Sequence, residues 1–220
     1  MCGCASHEWS AELKRNMGRV SDAKERLMDA ITELIWTGSY GSTTIDQICE
    51  KAGVKKGSFY YFFDSKSDLA AAAIRVEWDK FRPQLDSVFS PTIPPLERLL
   101  RYSDMGYREQ VELQEKHGYV LGCPLCSLGA EVSTQEAKLQ QLIQEIMNQS
   151  RLYLETAIRD AHAAGLAKAV DAAAVARIVY AYIEGLMTQA RIQNNLEIMK
   201  EMFTGVCTII GAKVQEPSVT

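Results

Sequence analysis

The 220-residue sequence predicts an all-α protein: a three-helix domain containing a helix-turn-helix, followed by a larger helical domain. Three observations carry this. Apolar residues recur at spacings of three and four in one segment after another, with no strict alternation and no internal repeat. Gly38, Gly53, Pro83, Gly118 and Gly165 punctuate those segments. The stretch Thr43 to Leu69 reads as two short helices joined at Gly53. With 47% hydrophobic residues the chain can bury a sizeable core.

The first helix is expected to start at Ser21 or Asp22 and end at Gly38. Val20, Ala23, Leu27, Ala30, Ile31 and Leu34 form its apolar face, and Trp36 and Tyr40 read as packing. Thr44 stands three residues before Gln47, the capping-box spacing, so a second helix begins at about Ile45 with Ile48 and Cys49 inward. Gly53 can take the left-handed conformation that ends it. A third helix starts near Lys55 and presents Lys55, Lys56, Ser58, Tyr60 and Tyr61, cations, hydroxyls and phenols suited to phosphate oxygens and base edges. Phe59 and Phe62 anchor it. Ser65 caps a fourth helix, expected through Leu69 to Trp78 or Phe81 and stopping before Pro83. Lys66 sits in its first turn, where a cation opposes the helix dipole; its presence there needs another reason, and a DNA phosphate would supply one.

Phe89 to Pro95 forms a loop, and a fifth helix runs from Leu96 to the Glu115-Lys116-His117-Gly118 stop. Pro124 opens a sixth, in the first turn where its missing N–H costs nothing. A long helix spans Gln135 to about Ala163, Asp171 caps another to about Gln193, and Leu196 to Ile210 reads as the last. The expected organisation is a flexible extension at 1–19, a helix-turn-helix domain at 20–66, a helical domain at 67–214 and a flexible end at 215–220. For residues 1–17 an arm reaching DNA through Lys14 and Arg15 and a plain terminus are both open.

The strings Ala52-Gly53-Val54, Lys56-Gly57-Ser58-Phe59-Tyr60-Tyr61-x-Phe63 and Ser65-Lys66-x-x-Leu69 resemble the N-terminal signature of TetR-family transcriptional regulators. The resemblance is close from Val20 to about Ile74; beyond, it is one of helix pattern only. It implies a homodimer on a pseudo-palindromic double-stranded DNA operator, acting as a repressor released by a small apolar or amphipathic effector. The DNA-binding set it implies is Thr44, Lys55, Lys56, Gly57, Ser58, Tyr60, Tyr61 and Lys66. Lys55 departs from the family pattern, where a small capping residue is usual.

The resemblance implies that the second domain binds the effector and dimerises. Candidates for lining its pocket are Trp78, Phe81, Tyr102, Met105, Tyr107, His117, Tyr119, Cys123, Met147 and Tyr153. The family places its dimer contact on the last helix pair. There Val175, Ile178, Val179, Tyr182, Ile183 and Leu186 make an apolar surface wider than one face needs, with Gly185 allowing close approach and Phe203 beside it.

The formal charge of -4 argues against nonspecific coating of nucleic acid. Residues 1–75 hold 10 basic and 10 acidic residues, net 0, so any DNA contact comes from a local surface. No stretch approaches the roughly 18 apolar residues of a membrane span, and the start lacks the apolar core of a secretory signal. No membrane contact and a cytoplasmic location are expected. The six cysteines are expected as reduced thiols. Neither Cys2-x-Cys4 near His7 nor Cys123-x-x-Cys126 after His117 offers four zinc ligands, so no metal is expected and no cofactor is implied.

Cys123 at a helix N-terminus has a second reading. The dipole would lower its pKa, making Cys123 and Cys126 a redox or electrophile sensor. A thiol-disulfide oxidoreductase is the competing enzyme class, but such a motif normally sits in a strand-helix context. A third alternative is a DNA-binding protein that acts through a protein partner, which a filled or absent cavity would favour.

Overall fold

The computed structural model describes residues 22–168 and 171–212. Within them the chain is helical: α1 (22–37), α2 (Ile45–Ala52), α3 (Lys56–Phe62), α4 (Lys66–Val88), α5 (Pro95–His117), α6 (Pro124–Val132), α7 (Ala137–Ala163), α8 (Ala172–Gln193), a 3-10 segment (Leu196–Glu201) and α9 (Met202–Ile210). The expected cap at Ser21, the extension before it and the C-terminal end lie outside the described residues.

Local chemistry places most helix ends. Thr44 and Gln47 form the expected capping box, the Thr44 hydroxyl accepting from the Gln47 N–H at 3.2 Å and Gln47 Oε1 accepting from the Thr44 N–H at 2.8 Å. Gly53 ends α2 at φ 63°, and its N–H is spent on the Cys49 and Glu50 carbonyls. Ser65 caps α4 by accepting from the Asp68 N–H, and Asp171 caps α8 by accepting from the Ala173 and Ala174 N–H groups.

Two helix boundaries differ from expectation. Helix α4 does not stop before Pro83 but carries it inside and runs on to Val88. Pro83 is exposed, so the carbonyl it deprives of a partner faces water, while Leu85 and Phe89 are buried in the core and hold the continuation in place. The last segment is not one helix. Asn195 caps a 3-10 turn through its side chain before α9 begins, and Met199 in that turn is fully buried.

The buried residues form two clusters. One joins Leu27 and Ile31 of α1, Ile48, Phe59 and Leu69 to Leu128 of α6 and Leu139 and Ile143 of α7. The other gathers Leu85, Leu99, Ile146, Leu154, Ile158, Val179, Ile183 and Met199 from α4, α5, α7, α8 and the 3-10 turn. Helices α6 and α7 therefore pack directly beneath the three N-terminal helices. The anchors of α3 are Phe59 and its C-cap residue Phe63, both buried, while Phe62 is only half-buried.

The apolar surplus expected on α8 goes mostly inward. Val175, Val179, Ile183 and Leu186 are buried within the same chain, because α8 packs against α7 on one side and against α9 and the 3-10 turn on the other. Tyr182 is half-buried, donates to the Glu201 carbonyl at 3.3 Å and lies over Gly205, where a Cβ would stand 2.0 Å from its hydroxyl. Phe203 is packed against the second cluster. What remains outward is Ile178, 56% exposed, and Gly185, whose Cβ position meets nothing within 4 Å.

Candidate nucleic-acid interface and effector cavity

Helix α3 lies on the surface with Phe59 turned in and the expected reading side turned out. Lys55, Lys56 and Gly57 are exposed, Tyr60 is 53% and Tyr61 74% exposed, and Ser58 is half-buried. Two exposed phenols of this size on a short helix are suited to stacking and hydrogen bonding with a nucleic acid. The Lys56 ammonium stands 2.8 Å from Asp46 of α2; both are exposed, so the pair is weak and free to exchange for a phosphate.

Two further members of the expected set already have partners. The Thr44 N–H and hydroxyl both donate to Gln47 Oε1, at 2.8 and 3.0 Å, so neither reaches a phosphate unless Gln47 swings away. Lys66 corrects the sequence argument more fully. Its Nζ donates to the Tyr40 carbonyl at 2.7 Å and the Thr43 carbonyl at 2.8 Å, and it stands 4.1 Å from the centre of the Tyr40 ring. Those carbonyls supply the reason for a cation at the start of α4. Burial pulls its pKa down, against the opposing pull of the Glu131 and Glu136 carboxylates.

The turn between α1 and α2 is held from the other side by α6. Glu131 accepts from the Tyr40 N–H at 2.9 Å and the Gly41 N–H at 2.5 Å, and the Tyr40 hydroxyl donates to Glu136 at 3.2 Å. Burial, then the Glu136 carboxylate, pushes the Tyr40 phenol up to about 12, so it stays a donor. One turn of backbone thus bridges α4, through Lys66, and α6, through Glu131.

Above this junction lies a cavity of about 230 Å³. Five of the ten expected lining residues surround it: Trp78, Phe81, Tyr102, Met105 and Cys123. The other five do not. Tyr119 is exposed, and Tyr153 turns its hydroxyl to Asp86 and its ring to Phe89. Tyr107 packs against the second cluster, Met147 packs between the two clusters, and His117 is half-buried at the end of α5. Tyr107 and Met147 thus point inward, but into filled space.

Several lining groups carried no signal of their own in the sequence. Trp36, read as packing, faces the cavity and donates through Nε1 to the Gly122 carbonyl at 3.1 Å. Gln110 is fully buried, accepts from the Leu121 and Gly122 N–H groups at 3.2 and 2.8 Å, and so fixes the strand of chain leading into α6. Glu77, Glu109 and Glu184 bring carboxylates to the wall, with no Lys, Arg or His among the described lining residues. Burial raises the pKa of Glu109 and of Glu184, the latter despite the thiols of Cys126 and Cys123 and the Tyr180 hydroxyl nearby.

Cys123 is the N-cap residue of α6, as expected, but its thiol is not activated. The adjoining Cys126 thiol, then burial, then the Glu184 carboxylate raise its pKa well above the ordinary value, against the lowering pull of the Cys126 backbone N–H. Cys49, Cys123, Cys126 and Cys207 are all free thiols. His117 is not among the groups near Cys123 and Cys126; the residue brought to them is Glu184 of α8, with the two sulfurs and a carboxylate oxygen all within 4.8 Å of one another.

This architecture is shared with known regulators. Residues 27–73 match the family described as bacterial regulatory proteins, tetR family, and residues 95–206 match the tetracyclin repressor-like C-terminal domain. The chain is 28% identical over 173 residues to the transcriptional regulator AcuR of Cereibacter sphaeroides, covering 78% of this chain and 77% of that one. The crystal structure of a regulatory protein TetR from Rhodobacter sphaeroides superposes with a TM-score of 0.76 at 25% identity, over 85% of this chain and 98% of the other. The reduced form of Escherichia coli NemR superposes with a TM-score of 0.75 at 22% identity, over 88% and 100%. Matched over both its helix-turn-helix and its C-terminal helical domain, the chain belongs to the TetR family of ligand-responsive, DNA-binding transcriptional regulators.

Proposed function

We propose that the protein acts in the cytoplasm as a homodimeric repressor, without enzymatic activity, whose α3 helices enter successive major grooves of a pseudo-palindromic operator. Half-sites about 34–36 Å apart suit such a dimer. The reading surface is Lys55, Lys56, Gly57, Ser58, Tyr60 and Tyr61; Thr44 contributes after release from Gln47. Lys66 acts through the backbone it holds. The outward stripe of Ile178 and Gly185 on α8 is the centre of the dimer contact, since Ile178 is exposed and the Cβ position of Gly185 is open, leaving room for a second helix.

The effector is a small molecule with an apolar body and a cationic or hydrogen-bond-donating end. A cavity walled by aromatic and aliphatic side chains, with Glu77, Glu109 and Glu184 but no cation among the described lining residues, supports this reading. The route from cavity to DNA is α6. Cys123 begins it at the cavity wall, and Glu131 grips the α1–α2 turn near its other end. A guest that favours a displaced α6 would favour α3 helices out of register with the operator, to the extent of its differential affinity for the two states. Thiol activation as the primary signal has the raised Cys123 pKa against it.

The test is operator release, followed by duplex shift, with lipophilic amines and size-matched lipophilic carboxylates. Release by amines alone supports the proposal. Release by the carboxylates alone, or retention of full operator affinity by Tyr61→Ala and Lys55→Ala, refutes the effector or the reading surface respectively.

A further inference from the structure

The cavity wall holds a donor set of which effector binding uses only the Glu184 carboxylate. Cys123 and Cys126 occupy the first turn of α6, Glu184 comes from α8, and their two sulfurs and one carboxylate oxygen all lie within 4.8 Å of one another. The sulfur and oxygen donors of a tetrahedral zinc site, at about 2.3 and about 2.0–2.2 Å from the ion, stand about 3.6–3.8 Å apart. Closing the three donors onto one ion therefore asks for side-chain rotations within their present positions. Glu184 Oε2 is buried and has no hydrogen-bond partner among the described residues. An unmatched carboxylate oxygen costs free energy in a closed protein, and a cation is a partner able to satisfy it.

We propose that Cys123, Cys126 and Glu184 form a binding site for one thiophilic divalent cation of the zinc class. Two thiolates exclude the hard cations magnesium and calcium, which take oxygen donors, and suit zinc, cobalt(II) or cadmium. Binding is a proton exchange with no change of oxidation state: each thiol releases its proton to solvent as its sulfur bonds the metal. Three protein donors leave a fourth position. Cys123 and Glu184 both line the cavity, so that position faces the cavity and takes a water or a donor atom of a guest. The bound ion ties the N-terminus of α6 to α8, and so bears on the helix that reaches the α1–α2 turn through Glu131. The site rests on its donors alone and does not depend on the organic effector proposed above.

Metal binding is read on the full-length, reduced, metal-free chain without DNA, by titration with cobalt(II). The expected result is one cobalt per chain with thiolate-to-cobalt charge transfer in the near ultraviolet and tetrahedral bands in the visible, displaced by zinc. Cys123→Ser with Cys126→Ser abolishes these bands, while Cys2→Ser with Cys4→Ser leaves them intact. Glu184→Gln, which keeps the side-chain shape, weakens affinity by more than about tenfold, since even the outer partners of metal ligands are worth that much. A second reading uses the unaltered chain. Zinc should protect Cys123 and Cys126 from iodoacetamide, mapped by peptide mass, and leave Cys2 and Cys4 reactive. No cobalt band from the unaltered chain, a band that survives loss of both Cys123 and Cys126, or protection only at other cysteines overturns the site. Because operator release is not part of this readout, its failure leaves the effector reading standing, and failure of that reading leaves the metal site standing.

Discussion

Lys66 separates two physical accounts of the same residue. Replacing it with Met keeps the aliphatic stem but removes the ammonium that bonds the Tyr40 and Thr43 carbonyls at 2.7 and 2.8 Å. Each charge-assisted bond is worth about 1.5–3 kcal/mol net. The half-buried ammonium gives part of that back, as its depressed pKa shows, so the pair together contributes about 2–3 kcal/mol. For a chain of this size, each kcal/mol moves Tm by about 2–4 °C, and Lys66→Met should lower it by about 4–12 °C. The salt dependence of operator binding provides the second axis. A lost phosphate contact reduces the slope of log K against log salt by about 0.9, whereas loss of an internal latch leaves the slope unchanged. Thermal unfolding and fluorescence anisotropy at several salt concentrations decide between them. An unchanged Tm with a shallower salt slope would show that Lys66 touches DNA after all and that the carbonyl contacts are incidental.

Three further outcomes are expected. Glu131→Ala removes the acceptor of the Tyr40 and Gly41 N–H groups and should cost about 1–3 kcal/mol in urea unfolding. It should also blunt effector-driven release more than operator binding itself, as seen by comparing anisotropy with and without effector. Ile178→Glu places a charge on the outward stripe of α8, and sedimentation should show a monomer with weakened operator binding; a persisting dimer would put the interface elsewhere. Glu109 has its folded pKa raised by burial, then by Glu112, so it destabilises the fold as pH rises above the ordinary carboxylate value toward the folded one, and the penalty stays in place at neutral pH. Glu109→Gln should therefore stabilise the protein at pH 7 and leave it unaffected in acid below that value; a uniform change at all pH values would contradict the sign.

Most helix ends were legible because they depend on neighbours within one turn. A cap needs only a side chain and an N–H two or three residues away, and Thr44, Ser65 and Asp171 were identified on that basis. Gly53 was legible for the same reason, since its left-handed conformation is a property of that residue. Pro83 misled because its local cost was outweighed by burial of Leu85 and Phe89, partners that lie elsewhere along the chain.

The cavity marks the other limit. Periodicity shows which side of a helix turns inward, so Trp78, Phe81, Tyr102, Met105 and Cys123 could be named, but it says nothing about whether the space they face is filled. Tyr153 and Met147 obey the same period and meet packed side chains. Likewise α8 was visibly too apolar for one face, yet whether Val179 or Ile178 remained outside depended on where α7 and α9 packed. Lys66 and Glu184 show the point for polar groups. A chain read in order reveals a cation at a helix start and a carboxylate on a late helix. It does not reveal two carbonyls under the one or two thiols beside the other, because those contacts join residues whose separation is bridged only when the helices pack.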